Sequence, residues 1–424
     1  MKGIIAYTIK KELTKIQLTR CYKFDILDTN YNTEYFTTDD FNKAINWLTR
    51  DFGEAFHIVW NLEHFTTLLF SLLPIEKRKE LKSSIIPRIY VNGQAIKIFY
   101  TSKYLGLTMM KQERYNYYKQ ENNFFGISHW LTNIAAPDIF RLVILGYEIL
   151  TALSLMKMQV MKLTSPIAVL LNNMELSTFP TLYSNKDLLN AANYCLPMMK
   201  LEWREQFQSS VYANTFNYDI ISAYPYFITD LPDTNNCLIK YSRFYQACDW
   251  GIVRACVKSR NKINPIVNCN NREYFTTDEI IWLLNHGATI NIIDGYYFSW
   301  KNTRKPYRQF ILQLFKAKQS SNTILAEIAR RMAQGFSGKF DQENKDGSLG
   351  ELYNPILAAM VRSKCRLTVA DFIYDNNLQD DLVSVNVDGI QSYRLKLRNS
   401  YLCQRIFYQA RRNLYVFVMR NCLY

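Results

Sequence analysis

Asn217-Tyr-Asp-Ile-Ile-Ser-Ala-Tyr-Pro225 is the stretch that decides how this chain of 424 residues is read. Residues 215–221 alternate in polarity as a half-buried strand does, and they deliver a carboxylate, Asp219, towards the carboxyl end. A compact Ser222-Ala-Tyr224-Pro225 turn follows. An acid at a strand end, then a hydroxyl and a ring, suits a metal-bound phosphate held against a sugar. The same residues also describe a buried strand whose Asp219 caps the next turn, so the rest of the chain has to choose.

Two other constellations bear on that choice. In Val383-Ser-Val-Asn-Val-Asp-Gly389 the valines share one face of a strand, and Ser384, Asn386 and Asp388 share the other. Asp-Gly is a tight-turn signal, which places Asp388 at a hairpin tip beside a residue that tolerates positive φ; an ordinary Asp-Gly turn reads the same way. In Arg330-Arg-Met-Ala-Gln-Gly-Phe-Ser-Gly-Lys-Phe340, Arg330 and Gln334 stand at i and i+4 on one helix face. Gly335 and Gly338 each cost a helix roughly 1 kcal/mol relative to alanine, which invites a reason such as close approach of a planar ligand. With Lys318, Arg330 could clamp a triphosphate; a solvated basic face ending in a glycine cap is the equal alternative. Two carboxylates far apart in sequence but close in space are the minimum holder for two Mg²⁺ ions, the requirement of in-line nucleotidyl transfer.

Composition narrows the class. A chain of this length needs two to three domains, and 48% hydrophobic residues with 14 glycines and 11 prolines is globular composition. The 51 basic against 37 acidic residues, net +14, point to a polyanionic partner, on whose bases the 30 tyrosines and 25 phenylalanines could stack. No secretory signal follows Met1, and the most apolar stretch, residues 142–161, carries Glu148 and Lys157, so it reads as a buried helix and not a membrane span. Nine cysteines without a CxxC pair argue for reduced cytosolic thiols, and the four histidines have no ligand spacing.

Along the chain, strands are expected at residues 16–26 and 55–60. Thr37 as N-cap with Asp40 at N3 would open a helix over residues 41–48. A helix over 62–73 follows, then a hairpin over 86–100 turning at Asn92-Gly93, a polar aromatic segment at 115–123, and a long helix over 138–161. Tyr274-Phe-Thr-Thr-Asp278 repeats Tyr35-Phe-Thr-Thr-Asp39 and reads as one strand-end and helix-cap solution used twice. Farther on, a helical run over 310–336 breaks near Lys318, a helix covers 354–374, and a last hairpin begins at 382.

The order Asp-x-x-Ser-x-Tyr-Pro, a Lys/Arg helix ending in Gly-Lys-Phe, and an Asp on a hairpin tip resembles motifs A, B and C of family B DNA polymerases. The spacing looks most like the protein-primed branch of bacteriophages, other viruses and linear plasmids; Asn354-Pro355 and Arg366 look like the Asn-Pro and Arg that precede motif C. The resemblance covers roughly residues 200–424.

It implies an α/β (α+β multidomain) chain. An RNase H-like exonuclease-type domain would occupy residues 1–180, and a right-hand polymerase palm and fingers residues 181–424. It implies Asp219 and Asp388 as catalytic metal ligands for two Mg²⁺ ions (or Mn²⁺), with Ser222, Tyr224, Lys318, Arg330 and Gln334 at the nucleotide. Tyr224 would stack under the sugar and exclude a 2′-hydroxyl; Arg366, Arg412 and Tyr415 would contact DNA. The implied partners are template and primer DNA, dNTPs, a terminal protein primer and no membrane, in the cytoplasm of a host cell.

The departures carry expectations of their own. Motif C has Asn386 where the family has its first, less critical aspartate, and motif B has Gln334, Gly335 and Ser337 for Asn, Ser and Tyr. The exonuclease acids would fall at Ala6, Thr8 and Phe65, with only Asp138 retained and Ile134 in place of the tyrosine. Proofreading is therefore expected to be absent. The Tyr-x-Gly-Gly linker motif is missing around residues 194–200, and only nine residues follow Tyr415, so the thumb would be short or supplied by another chain. The competing expectation is a catalytically inactive polymerase-like scaffold that binds nucleic acid or a replication partner.

Overall fold

The computed structural model describes most of residues 3–23, 32–48, 55–59, 88–100, 139–160, 166–174, 186–208, 211–259, 272–393 and 411–416, with scattered positions between them. The segment 115–123, Ile134, Asp138 and half of 62–73 lie outside the described residues. The chain divides into two compact units, Met1–Met174 with Phe315–Met332, and Glu175–Leu314 with Ala333–Tyr424.

In the first unit, β1 (Gly3–Glu12), β2 (Lys15–Lys23) and β3 (Asn32–Thr38) form an antiparallel meander. Helix α1 (Phe41–Leu48) follows, and β4 (Ala55–Val59) returns parallel to β1. A separate hairpin, β5 (Arg88–Val91) and β6 (Gln94–Lys97), pairs Val91 with Gln94; Asn92 and Gly93, where its turn was expected, lie outside the described residues. Strand β7 (Phe99–Tyr100) then completes a sheet of order β3-β2-β1-β4-β7. Helix α2 (Ile139–Leu155) packs on this sheet so closely that a Cβ on Gly146 would lie 2.8 Å from Ile4 Cδ1. Central β1 is buried on both faces, so it reads as a continuous apolar run. Ala6 and Tyr7 are inside this core, and Phe65 packs against the Tyr7 ring at 6.4 Å. Two positions where exonuclease acids were sought are thus filled by buried apolar side chains. Helix α3 (Pro166–Asn172) follows.

Two expectations for this unit need correction. The helix expected over 138–161 ends at Leu155, and Lys157 has φ 59°. Thr37 is a strand residue, and the cap of α1 is Asp40, whose Oδ1 accepts from the Lys43 amide at 2.9 Å. The sequence repeat shows why. At the second copy Thr276 caps the helix and Glu279 reaches back to the Thr276 amide, a full capping box. The residue matching Glu279 in the first copy is Asp40, one methylene shorter, and it caps the helix itself.

The second unit begins with α4 (Lys186–Met199) and β8 (Arg204–Gln206). Strand β9 (Val211–Asp219) and α5 (Ala223–Ile228) carry the opening stretch. Next, β10 (Cys237–Ser242), β11 (Trp250–Lys258), β12 (Tyr274–Thr276) and β13 (Thr289–Trp300) form a four-stranded antiparallel sheet of order β10-β13-β11-β12, with α6 (Thr277–Asn285) between its last two strands in sequence. The helical run, whose residues 315–332 are grouped with the first unit, breaks where expected, into α7 (Arg308–Lys318) and α8 (Thr323–Ser337), the latter capped by Asn322 at the Leu325 amide. Helix α9 (Pro355–Asp375) has Asn354 as N-cap and proline at N1, the favoured use of each residue. The hairpin β14 (Leu382–Asn386) and β15 (Gly389–Ser392), with β16 (Arg411–Val416), completes a second five-stranded sheet, β16-β9-β15-β14-β8.

Together these elements make a mixed α/β, multidomain architecture of the expected class. Among the described residues, no helix is long and apolar enough to cross a membrane.

Candidate functional site

The five-stranded sheet of the second unit brings the two sought acids together at the ends of neighbouring interior strands. Strand β9 runs antiparallel to β15, and Asp219 stands opposite Gly389, next to Asp388. The Ile220 amide donates to the Asp388 carbonyl at 3.0 Å, so the ladder runs into the hairpin tip. A Cβ on Gly389 would lie 2.1 Å from Asp219 Oδ1. The glycine of the Asp-Gly pair is therefore needed for the close passage of a carboxylate. Positive φ was expected beside Asp388, and it falls on Val387 (φ 62°).

Among the described residues four non-glycines have positive φ; two of them, Ser222 and Val387, sit in the turns that follow Asp219 and precede Asp388. Strain of about 1–3 kcal/mol at such residues persists only where the surroundings fix it, and it gathers at functional sites. Here the Val387 amide donates to the Trp203 carbonyl at 2.7 Å, and the Trp203 side chain is fully buried. We expect Val387→Asn, which tolerates this conformation, to raise stability by about 1 kcal/mol, read as a higher melting temperature. Gly389→Ala should keep the fold by circular dichroism yet displace Asp219, lowering any activity of the site by about 100-fold.

Asp219 is exposed and Asp388 half-buried. Burial, then the charges of Asp219 and Glu202, raise the Asp388 carboxyl above its ordinary range, against the pull of its own amide and of Arg204. A second positive charge near the pair would reverse that repulsion. Hard carboxylate oxygens suit Mg²⁺, which takes one or two carboxylates and fills its other positions with water and substrate phosphate. Among the described residues, no group of three or more His, Cys, Asp or Glu side chains converges to hold a metal.

Sequence reasoning missed the residues around the pair. Glu202 accepts from Arg204 Nε and Nη2 at 3.1 and 2.7 Å, and Arg204 Nη1 donates to Asn386 Oδ1 at 2.8 Å. The Tyr224 hydroxyl donates to Glu202 Oε1 at 3.4 Å, and Arg362 lies over the Tyr224 ring at 5.6 Å. The one trace of this in the sequence is Glu202-Trp-Arg204, opposite charges flanking an apolar residue, just after the segment where a linker motif was sought.

The other candidates are placed as follows. Ser222 is the αL residue before α5, and its side chain makes no capping bond to that helix. Lys318 and Arg330 both fall in the first unit. Burial, then Arg330, lowers the Lys318 ammonium. Arg330 is held by Glu327 through two bonds, Nε–Oε2 at 2.7 Å and Nη2–Oε1 at 2.6 Å, and Arg331 shares the same acid. Gln334 is exposed on α8, and a Cβ on Gly338 would meet nothing nearer than the Gly335 carbonyl at 3.8 Å, so packing within the protein does not demand that glycine. Arg412 and Tyr415 lie on β16, in register with Phe216 and Tyr212 of β9. Arg366 is 1% exposed. Its guanidinium is bonded to Glu279 Oε1 and to the Leu201 carbonyl, a structural placement inside the fold.

The chain is similar in fold to phi29 DNA polymerase complexed with primer-template DNA and incoming nucleotide substrates, at TM-score 0.56 and 13% identity. It is likewise similar to the post-translocation binary complex of phi29 DNA polymerase with primer-template DNA (TM-score 0.58, 13% identity) and to its orthorhombic crystal form (TM-score 0.58, 14% identity). In each case the likeness covers 94% of this chain and 81% of that one. No protein-family model matches the chain, and no curated protein matches it in sequence. At this identity the likeness shows the fold, that of a polymerase-like scaffold.

Proposed function

We propose that the chain is a template-directed DNA polymerase that transfers dNTPs to a 3′ or protein hydroxyl by a two-metal mechanism, in replication of a viral or plasmid genome in the host cytoplasm. The observation that carries the proposal is the register of β9 on β15, which sets Asp219 beside Asp388 at the ends of two adjacent strands in a polymerase-like fold. Asp219 and Asp388 would hold two Mg²⁺ ions, or Mn²⁺ in their place, and such ions would supply activation of the attacking hydroxyl and neutralisation of the leaving pyrophosphate. Tyr224 sits against the sugar, with Ser222 beside it. Lys318, Arg330 and Gln334 are assigned to the nucleotide, and Arg412 and Tyr415 on the edge strand β16 to the primer.

No proofreading is proposed, because buried Ala6 and Phe65 stand at two positions where hydrolytic acids would be required. A terminal protein primer and a separate chain supplying the thumb complete the proposed partners.

One observation favours a second reading, a non-catalytic scaffold that binds nucleic acid or a replication partner. Asn386 stands where the family has an acid, and its side-chain oxygen is taken up by Arg204. Primer–template DNA labelled with a fluorophore separates the two. A polymerase binds it and lengthens the primer in Mg²⁺ and dNTPs. A scaffold binds it with the salt dependence of phosphate contacts and leaves the primer unchanged.

A further inference from the structure

Helix α9 places Arg362 and Arg366 one turn apart, on the same face. Arg366 anchors the Leu201 carbonyl, which fixes the segment that carries Glu202. Arg362 is 8% exposed, donates from Nη2 to Asp341 Oδ2 at 2.5 Å, and sets its guanidinium carbon 5.6 Å from the Tyr224 ring centroid. Its Nε is buried with no hydrogen-bond partner. A buried arginine left with an unused donor is not placed for hydrogen bonding alone. What it gains here is the face of an aromatic ring. The hydroxyl of that ring meets Glu202, itself held by Arg204, which reaches across to Asn386. The result is one chain of contacts, Asp341–Arg362–Tyr224–Glu202–Arg204–Asn386, that joins the turn after Asp219 to the hairpin before Asp388.

We infer that Arg362 and Glu202 are positioning residues that set the orientation of the Tyr224 ring and through it the choice between deoxyribose and ribose. The inference rests on the polymerase reading and adds to it the residues that determine sugar specificity. A ring pinned at one face and at its hydroxyl keeps one orientation, and a 2′-hydroxyl is rejected only by a ring that does not move aside. Arg362 acts on the ring and not on the reacting atoms, so its loss falls on discrimination.

The test compares incorporation of a dNTP and the matching rNTP opposite one template base. Arg362→Met should raise the rNTP/dNTP ratio of kcat/KM about tenfold, through a lower KM for the rNTP, with kcat for the dNTP nearly unchanged. Arg362→Lys should restore part of the discrimination. Glu202→Ala should shift the ratio the same way, and it carries the test if Arg362→Met does not fold. Tyr224→Ala should shift it further, with no added effect from Arg362→Met.

An unchanged ratio in both Arg362→Met and Glu202→Ala, with active wild type, overturns the inference and leaves the polymerase reading standing. Wild type that incorporates neither nucleotide overturns the polymerase reading and the specificity role with it. In that case the brace is still read directly. Melting shifts of Tyr224→Ala and Arg362→Met that fail to add confirm that the two side chains are coupled, and additive shifts deny it.

Discussion

Replacing Asp388 with alanine is expected to lower templated nucleotide incorporation by about a thousandfold or more, with the same loss for Asp219→Ala. The two acids stand side by side through one strand pairing, and no third acid, histidine or cysteine among the described residues converges with them to take over. A loss of that size corresponds to about 4 kcal/mol of barrier, the scale at which charge stabilisation at a transferring phosphoryl group acts. Asp388→Asn separates charge from shape, since it preserves the hairpin but cannot neutralise a cation, and it should be as inactive as alanine. Both substitutions relieve a repulsion, because burial and the Asp219 charge already disfavour an ionised Asp388. The folded chain should therefore keep or gain thermal stability while losing activity. Single-turnover incorporation and a melting curve on the same preparation check both halves.

The largest expected effect on stability belongs to Arg366. Glu279 is fully buried, and it is bonded to Arg366 through Nε at 3.1 Å and Nη2 at 2.5 Å, and to Arg272 at 2.7 Å. Its second task is the capping box of α6. Arg366→Met keeps the bulk of the side chain and removes the cation, so Glu279 keeps one partner of two and the Leu201 carbonyl loses its donor. Breaking a buried pair in this way costs about 3 kcal/mol or more.

The pH dependence follows from the same site. Burial alone would raise the Glu279 carboxyl, but Arg272 and Arg366 outweigh it and hold the carboxyl below its ordinary range. The stabilisation is thus fully present above the unfolded-state pKa of about 4.3, and it is lost as pH falls through the lower folded value. Without Arg366 burial regains weight, and the midpoint of acid unfolding should move to higher pH. Urea melts of wild type and Arg366→Met between pH 3 and 7 measure both. Adding Glu279→Gln to Arg366→Met should recover part of the lost stability, because a neutral amide is cheaper to bury than an underpaired carboxylate.

These two sites differ in how readable they were from residues alone. Strand β9 ending at Asp219, the Asp388 hairpin, the break after Lys318 and the Asn354-Pro355 start of α9 all rest on contacts within a few residues. Polarity alternation, Asp-Gly, an N-cap and an N1 proline report such contacts directly. Arg366 was assigned to DNA by the resemblance of its motif, which carries no information on burial. Its burial depends on Glu279, 87 residues away. The Arg204–Asn386 bond spans 182 residues, and no local pattern announces it. The cap of α1 was misread for a smaller reason, the missing methylene between Asp40 and Glu279. The positive φ next to Asp388 was placed on the wrong residue because Asp-Gly usually spends its glycine on backbone conformation. Here the glycine makes room for Asp219.

The most direct measurement is incorporation of a single nucleotide by the wild-type chain on a primed template in Mg²⁺, run with each of the four templating bases and each of the four dNTPs. The primer should lengthen by one nucleotide chiefly in the four complementary combinations, and removal of Mg²⁺ with EDTA should abolish the product. A primer that is bound but never lengthened, in Mg²⁺ or in Mn²⁺, would contradict a catalytic role for Asp219 and Asp388 and leave a polymerase-like scaffold.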